Sequence, residues 1–180
     1  MRHRIRLLNS LIANNNLNEA QDILAEWDYE LDQTQDTVFF KNIILNNVLN
    51  VYAHKALKAG IALKIQVDFP AKLKSGNAQF AVVLSNALEN CLAAAQKQTK
   101  KEIQIISRYE NDTLALIIKN RFVGHINFDE DGIPLTSQGK EHGIGMRSIL
   151  AFANRYQAAF TCSLEKNWFI LRLMFKYVDV

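Results

Sequence analysis

The strongest signal in the chain is NAQFAVVLSNALENCLAAAQKQ, residues 77–98. Its apolar residues recur at helical spacing, so this segment is predicted to be an amphipathic helix. At about 100° per residue one arc of that helix, expected to pack on a sheet, collects Leu84, Leu88, Cys91 and Ala95. The opposite side carries Asn86, Asn90, Ala93 and Lys97, flanked by Val82, Val83 and Glu89.

The two asparagines on that opposite side are unusual, because a solvated helix face ordinarily carries lysine and glutamate. Asparagine is a mediocre helix former, so propensity alone does not favour it at Asn86 and Asn90. Its amide oxygen can ligate a hard cation, and Mg²⁺ takes one or two protein oxygens beside phosphate oxygens. The alternative interpretation is that both asparagines hydrogen-bond to a neighbouring loop.

The chain upstream of this helix predicts three helices and one strand. Two short amphipathic helices within residues 1–35 form a helical hairpin, with Asn18 as the predicted N-cap of the second. Such a hairpin has too little core to stand alone, so we expect it to pair with another chain or pack on the rest. A third helix is predicted from Val38 to Ala59, and the strict alternation of Ile61–Phe69 predicts a half-buried strand.

The chain downstream predicts two antiparallel hairpins separated by a long loop and a helix. The predicted elements are strands Glu102–Tyr109 and Thr113–Lys119 with a turn at Asn111-Asp112, a loop over Arg121–Glu141, a helix over Ile144–Tyr156, and strands Phe160–Leu164 and Trp168–Phe175. Hairpins on one side and helices on the other predict a two-layer α/β sandwich, with domains 1–35 and 36–180.

Composition excludes several classes of protein. The chain has 180 residues, 49% of them apolar and 22% charged, which suits one globular domain with a helical appendage. A net charge of +3 is too mild to indicate nucleic-acid binding. Cys91 and Cys162 lie inside apolar runs, so we interpret them as core residues of a reduced chain. No apolar run is long enough to suggest a membrane span, and no cleavage site indicates a signal peptide.

A second signal is EHGIGM, residues 141–146, where the long loop meets the next helix. Glycines there permit close backbone approach, and the free amides of a helix N-terminus suit phosphate. A lone Gly-x-Gly is weak evidence, because glycine also simply ends loops. Its combination with a long loop and an asparagine-faced helix is stronger.

These residues resemble a known family. LSNALEN at residues 84–90 is similar to the N box of the GHKL ATPases, the group of gyrase, heat-shock chaperone, histidine kinase and mismatch-repair ATP sites. HGIGMRSI at residues 142–149 is similar to their second glycine box. More narrowly, the chain resembles sensor histidine kinases of the quorum-sensing, accessory-gene-regulator type. That match rests on Arg2-His3-Arg4-Ile5, Pro134-Leu135-Thr136-Ser137 and the approach Tyr52…Ala56…Gly60-Ile61 to the first strand.

The resemblance implies roles for individual residues. Asn90 would ligate Mg²⁺ on ATP, and Asn86 would support the metal or phosphates from one turn earlier. Hydrolytic relatives carry a water-activating glutamate at the position of Asn86, whereas asparagine suits phosphotransfer and cannot act as a general base. Arg121–Glu141 would be the ATP lid. The implied nucleotide-binding set is Asn86, Asn90, Asn120, Ser137, Lys140, His142, Gly143, Ile144, Gly145 and Met146, and Lys97 is a further phosphate candidate.

The chain departs from the family pattern at three places. Most histidine kinases bind the adenine amino group with the aspartate of an Asp-x-Gly-x-Gly box, which is absent here. Asn120 is the adenine-end candidate, because its amide oxygen can accept a hydrogen bond without carrying charge. The usual Gly-Gly after the last helix is Ala158-Ala159, and Trp168 replaces a threonine often found before the final strand's phenylalanine.

The phosphoacceptor is not obvious in the sequence. Aligning Arg6-Leu7-Leu8 with the family's apolar helix puts His3 on the second basic position of the motif and the acceptor just upstream of Met1. On that interpretation the chain is the cytoplasmic part of a longer, membrane-bound sensor. The alternative is that His3 is itself the acceptor.

Three functions are compatible with these residues and with the resemblance. The first is the kinase core of a two-component histidine kinase that binds ATP and Mg²⁺, phosphorylates a histidine, supplies a response regulator and dimerises through its N-terminal helices. The second is a degenerate dimerisation or scaffold module with weak or no nucleotide binding. The third is a serine kinase of the anti-sigma-factor type, which the helical leader disfavours because that family lacks such a hairpin.

Overall fold

A computed structural model describes residues 9–14, 16–23, 37–39, 41–70, 77–130, 132–134 and 143–176. The chain divides into two compact units, Met1–Thr37 and Val38–Val180. The predicted division at residue 35 stays a prediction, because the limits of a compact unit do not define a functional domain.

The second unit contains three helices and five strands in its described residues. They are α1 (Ile43–Lys58), β1 (Ala62–Gln66), α2 (Asn77–Gln96), β2 (Glu102–Glu110), β3 (Thr113–Arg121), α3 (Gly143–Arg155), β4 (Ala159–Glu165) and β5 (Trp168–Lys176). The strands form one sheet in the order β1-β2-β3-β5-β4. β1 runs parallel to β2, and the other neighbouring pairs are antiparallel.

The helices pack on one face of this mixed sheet, which confirms the predicted α/β sandwich. Apolar residues of α2 and of the inward strand positions form one buried core. Phe80 of α2 lies at its centre, with its ring centroid 5.8 Å from that of Phe69 and 5.5 Å from that of Phe175. Aromatic pairs at such separations stabilise a core beyond their buried area alone.

Helix α1 begins later than the predicted Val38. Asn42 is its N-cap, and the Asn42 side chain accepts a hydrogen bond of 3.3 Å from the backbone N–H of Leu45. A second asparagine, Asn46, accepts from the backbone N–H of Phe39 at 2.9 Å and so holds the preceding segment in a non-helical conformation. Asparagine favours such capping roles, because its short side chain competes for nearby backbone donors.

Strand β1 ends at Gln66, although the apolar alternation continues to Phe69. The reason lies in Ser107 of β2, whose hydroxyl oxygen accepts from the backbone N–H of Asp68 at 2.8 Å and donates to the Asp68 carbonyl at 3.1 Å. A side chain thus replaces the backbone ladder beyond Gln66. The inward side chains still alternate as predicted, and Phe69 is buried.

The two hairpins close through left-handed turn residues. Asn111 and Asp112 have φ of 49° and 58°, as the predicted turn requires, and Lys166 and Asn167 have φ of 47° and 64°. Consecutive positive φ values match the right-handed twist of the strands. Strand β3 runs on to Arg121, so the loop predicted to begin at Arg121 begins one residue later.

The described part of the first unit is helical over residues 9–13 and 17–23. The second of these helices is capped by Asn16, whereas Asn18, the predicted N-cap, lies inside the helix. The Asn16 carbonyl accepts from the N–H of Ala20 at 3.1 Å, and its side-chain amide donates to Glu19 at 3.3 Å. Asn16 and Glu19 have the three-residue spacing of a capping box, but this bond joins their two side chains and not a side chain to a backbone N–H.

Within the described residues, no helix is both long and apolar enough to cross a membrane. Both cysteines are free, with Cys91 buried and Cys162 half-buried. Burial raises the pKa of the Cys91 thiol to about 12, as expected of an unreactive core residue.

Candidate functional site

Helix α2 presents the two faces that its sequence predicts. Its sheet-facing residues are all buried, namely Leu84, Leu88, Cys91 and Ala95. On the other side Asn86 is half-buried and Asn90 is exposed. Val83, predicted to flank the asparagine side, is instead buried, because α3 packs against that edge of α2.

The asparagine side of α2 meets the glycine-flanked start of α3. A Cβ added to Gly145 would stand 3.6 Å from the Cβ of Asn86 and 3.7 Å from the side-chain nitrogen of Asn90. These are ordinary van der Waals distances for the added atom, so both asparagines border Gly145 with room for about one methyl group between them. Gly145 lies 59 residues after Asn86 and 55 residues after Asn90 in the sequence. The fold places these two sequence signals side by side, and together they define the candidate site.

The first turn of α3 supplies the backbone at this site. Gly143 and Ile144 are its first two residues, and their backbone is helical. The first N–H groups of a helix have no partner within the helix, so they can donate to an anion. The Met146 side chain, predicted to contribute to nucleotide binding, is buried in the core, which leaves only its backbone for that role.

Several predicted site residues lie outside the described residues. They are Ser137 and Lys140 of the predicted lid, His142 directly after it, and His3 of the leader. Lys97 is described, and it lies exposed in the turn after α2.

Asn120 is the residue predicted for the adenine end of the site. It is fully buried at the end of β3, and its Nδ2 donates to the backbone carbonyl of Arg121 at 2.9 Å. A carbonyl can only accept, so this bond fixes which way the amide is turned. Among the described residues, the Asn120 Oδ1 is the buried side-chain oxygen or nitrogen that lacks a hydrogen-bond partner. Leaving such an acceptor unpaired costs about 1–3 kcal/mol, which makes it a candidate ligand contact.

The two other departures from the family pattern do not reach Asn120. Trp168 stacks on the Arg121 guanidinium, with its ring centroid 3.9 Å from the Arg121 Cζ and 4.8 Å from the Lys119 Nζ. Side chains alternate along a strand, so Lys119, Arg121 and Trp168 lie on the sheet face opposite to Asn120. After α3, the left-handed conformation that favours glycine is adopted by Gln157, with φ of 50°, and not by Ala158.

The described part of the predicted lid contains a small ordered turn. The Asp129 side chain accepts from the Ile133 N–H at 2.8 Å, and the Asp129 N–H donates to the Ile133 carbonyl at 2.9 Å. Phe128 pairs with Pro134 across this turn. Gly132 occupies it with φ of 73°, a conformation that favours glycine.

A polar cluster that the sequence did not predict joins α1 to the asparagine side of α2. The Lys55 amine lies 2.9 Å from the Glu89 carboxylate and 4.6 Å from the centroid of the Tyr52 ring. The Tyr52 hydroxyl lies close to Glu89 and Ser85. Burial and then the Glu89 charge raise the pKa of Tyr52, so its hydroxyl stays protonated. The sequence did contain an indication of this cluster. Helix α2 holds no lysine, arginine or histidine, so any cation beside Glu89 must come from a neighbouring element.

The amide oxygens at the site suit Mg²⁺ better than they suit a metal ion whose ligands all come from the protein. Within the part of the chain that the structure describes, no three His, Cys, Asp or Glu side chains cluster to hold a metal. Magnesium usually takes one or two protein oxygens and completes its shell with water and phosphate. The amides of Asn86 and Asn90 fit that limited role.

Residues 77–176, more than half of the chain, match the family model described as a GHKL domain. The chain therefore belongs to the GHKL domain family. Its fold is that of histidine kinase catalytic domains. No curated protein matches the chain.

Solved histidine kinase structures share this fold at low sequence identity. The catalytic domain of histidine kinase ThkA aligns with a TM-score of 0.60 and 16% identity, over 82% of this chain and 100% of that one. The histidine kinase domain of an Erythrobacter litoralis blue-light activated kinase aligns with a TM-score of 0.56 and 13% identity, over 74% of this chain and 65% of that one. Acinetobacter baumannii histidine kinase AdeS aligns with a TM-score of 0.53 and 11% identity, over 99% of this chain and 97% of that one.

Proposed function

We propose that this chain is the catalytic core of a two-component sensor histidine kinase. It binds ATP with Mg²⁺ between the asparagine side of α2 and the loop before α3, and directs the γ-phosphoryl group to a histidine and then to a response regulator. The observation that carries the proposal is the unpartnered, buried Oδ1 of Asn120. The adenine amino group is a donor of the kind that this oxygen lacks.

The phosphate end of the proposed site rests on Gly145 and the two asparagines. Because both asparagine side chains border Gly145, the N–H groups of the first α3 turn and the two side-chain amides lie in one region. Asn90 is the proposed Mg²⁺ ligand, and Asn86 supports it. Bound ATP supplies the transferable phosphoryl group, while the protein contributes positioning and charge neutralisation.

The absence of an acid at position 86 supports phosphotransfer over hydrolysis. Asn86 cannot take a proton from water, so the site lacks the general base that a hydrolytic enzyme of this shape would use there. In the proposed reaction the nucleophile is instead a histidine. Its position stays a prediction, because His3 and the segment around it lie outside the described residues.

The remaining parts of the proposal concern assembly. We expect a homodimer through the N-terminal helices, a cytoplasmic location beneath a membrane-bound sensor, and membership of the accessory-gene-regulator type. These expectations come from the resemblance of residues 1–35 and of the segments around Tyr52 and Pro134.

A titration series tests the nucleotide part. The 180-residue chain is titrated calorimetrically with ATP, with ATP plus Mg²⁺, and with GTP plus Mg²⁺. The proposal expects Mg²⁺-dependent binding of ATP and weak binding of GTP, since the guanine 6-position is an acceptor facing the Asn120 acceptor. No binding at millimolar ATP would favour the degenerate scaffold, and the absence of a charged adenine contact from the chain would explain the result.

Chemical stability of the transferred phosphate tests the acceptor class. After incubation with γ-labelled ATP, a phosphohistidine is lost in acid and a phosphoserine is retained. Acid-labile label on this chain, or on a version extended upstream, supports the histidine kinase. Acid-stable label would point to the serine kinase instead.

A further inference from the structure

We propose that Lys55 of α1 is a cation that contacts the nucleotide phosphates, in addition to the predicted Lys97 and Lys140, and that it is released to them from its ion pair with Glu89. The inference rests on the proposed nucleotide site and adds to it a residue from a different helix. The reason is the charge of the nucleotide. A triphosphate remains negatively charged after binding one divalent cation, so a phosphoryl-transfer site needs a further positive group.

Helix α2 creates that problem, because its one charged side chain is the acid Glu89. Glu89 lies three residues after Asn86 and directly before Asn90. Residues three apart on a helix are neighbours, so the carboxylate lies beside the asparagine that contacts Gly145. A free carboxylate at this place would repel a phosphate.

The α3 side of the site offers no better cation among its described residues. Arg147 is exposed and lies two residues after Gly145, about 200° around the helix from the face that meets α2. Arg155 is at the opposite end of α3. Lys55, by contrast, already touches Glu89 at 2.9 Å, on the α1 side of the asparagine face.

The Glu89 carboxylate has a second partner, which allows Lys55 to leave. The Tyr52 hydroxyl lies close to Glu89, and burial together with the Glu89 charge raises the pKa of that hydroxyl, so it stays protonated and able to donate. When the Lys55 amine turns toward a phosphate, the Tyr52 hydroxyl takes its place as the donor to the carboxylate. The Lys55 and Glu89 side chains are 41% and 59% exposed, so the pair is solvated and weak enough to exchange partners.

A solvent-exposed ion pair that only joins α1 to α2 is the competing explanation, and it predicts no selectivity for phosphate. The test therefore compares MgATP with adenosine, titrated calorimetrically into the full chain. We expect Lys55→Met to weaken MgATP binding about tenfold and to leave adenosine binding within about twofold. Lys55→Arg, which keeps the charge, is expected to restore most of the MgATP affinity.

Lys58→Met is the matched control, since it removes an exposed lysine one turn along the same helix. It should change neither affinity. Glu89→Gln is expected to strengthen MgATP binding about threefold, because it frees Lys55 and removes a repelling charge. Opposite signs for Lys55→Met and Glu89→Gln distinguish phosphate contact from a structural pair, for which neither variant changes MgATP affinity.

The outcomes separate this inference from the proposed function. If the parent chain binds MgATP but Lys55→Met binds it equally well, or loses adenosine to the same extent, Lys55 does not contact phosphate and the nucleotide site stands. If the parent binds neither ligand, the proposed function fails and this inference fails with it.

Discussion

Gly145 faces Asn86 across the interface between α3 and α2, where a Cβ added to Gly145 would stand 3.6 Å from the Asn86 Cβ. The second asparagine lies equally near, with the Asn90 side-chain nitrogen 3.7 Å from the same point. A methyl group therefore fits without a clash but occupies the space in which the two amides turn. A side chain at position 145 should therefore raise the stability of the helix and lower the affinity for the ligand.

Gly145→Ala is expected to stabilise the fold while weakening nucleotide binding. Alanine is better than glycine inside a helix by up to about 1 kcal/mol, so the free energy of unfolding should rise. The methyl group restricts both asparagine amides, so the affinity for MgATP should fall about tenfold. Urea denaturation and calorimetric titration of the same preparation measure the two effects.

Gly60→Ala is the contrasting control. Gly60 has φ of +65° and an added Cβ would meet nothing within 4 Å, so alanine there is strained without touching a neighbour. It should lose about 1 kcal/mol of stability and keep its MgATP affinity. A Gly145→Ala variant with unchanged affinity would mean that the asparagine amides do not need this space.

Asn90→Ala should remove the Mg²⁺-dependent part of ATP binding without unfolding the chain. Asn90 is exposed on α2 and alanine is the better helix former, so stability should not fall. Affinity measured with Mg²⁺ should drop to the affinity measured with chelator, while the parent shows a clear difference. Asn47→Ala, at an exposed asparagine of α1, is the matched control. If Asn90→Ala retains the full Mg²⁺ effect, the metal assignment is wrong.

Asn120→Leu is expected to separate stability from adenine recognition. The substitution replaces a buried amide whose oxygen has no partner by an apolar side chain of similar size. Removing the unsatisfied acceptor favours the fold, whereas losing the Nδ2 bond to the Arg121 carbonyl disfavours it, so the unfolding free energy should stay within about 1 kcal/mol of the parent. Adenine binding should be lost, as measured with MgATP.

Asn120→Asp provides the other half of that comparison. Aspartate keeps an acceptor at the same place, so it should retain preference for MgATP over MgGTP while losing stability through a buried charge. If Asn120→Leu binds MgATP as the parent does, then Asn120 does not contact the base, and its oxygen has another role.

The sequence predicts the elements of this fold better than the contacts between them. Periodicity located α2 and its buried arc, because a helix of fixed pitch relates neighbours in sequence to a face in space. It could not place Val83 or Met146 in the core, since both are buried by the α2–α3 packing. The early end of β1 likewise depends on Ser107, a residue about forty positions downstream of that strand.

The same limit applies to the candidate site. Motif spacing identified Asn86, Asn90 and Gly145 separately, and the tertiary fold brought them into contact. The resemblance suggested Asn120 as the adenine end, and only burial revealed its unpaired oxygen. Lys55 carries no motif at all, because its importance depends on Glu89 and Tyr52 across a helix interface.

Glu102 gives a prediction about stability against pH. This nearly buried carboxylate at the start of β2 lies 3.0 Å from the Lys64 amine and 3.2 Å from the Arg121 Nε. Hydrogen bonds from Gln104 and Lys64, opposed in part by burial, lower the pKa of Glu102 to about 2. Because the folded pKa lies below the unfolded value of 4.5, the group stabilises the fold fully above about pH 5.

That contribution should therefore disappear between about pH 4.5 and pH 2, as protons bind the unfolded chain first. Glu102→Gln should be less stable than the parent by about 1–2 kcal/mol at pH 7, a range reduced because its lysine partners are exposed. Urea denaturation at pH 7, 4 and 3 should show this difference narrowing as pH falls. Glu165→Gln, which breaks an exposed pair with Arg172, is the matched control and should show a much smaller difference. A difference between the parent and Glu102→Gln that stays constant from pH 7 to pH 3 would show that the carboxylate charge does not contribute, and that the loss comes from packing at the start of β2.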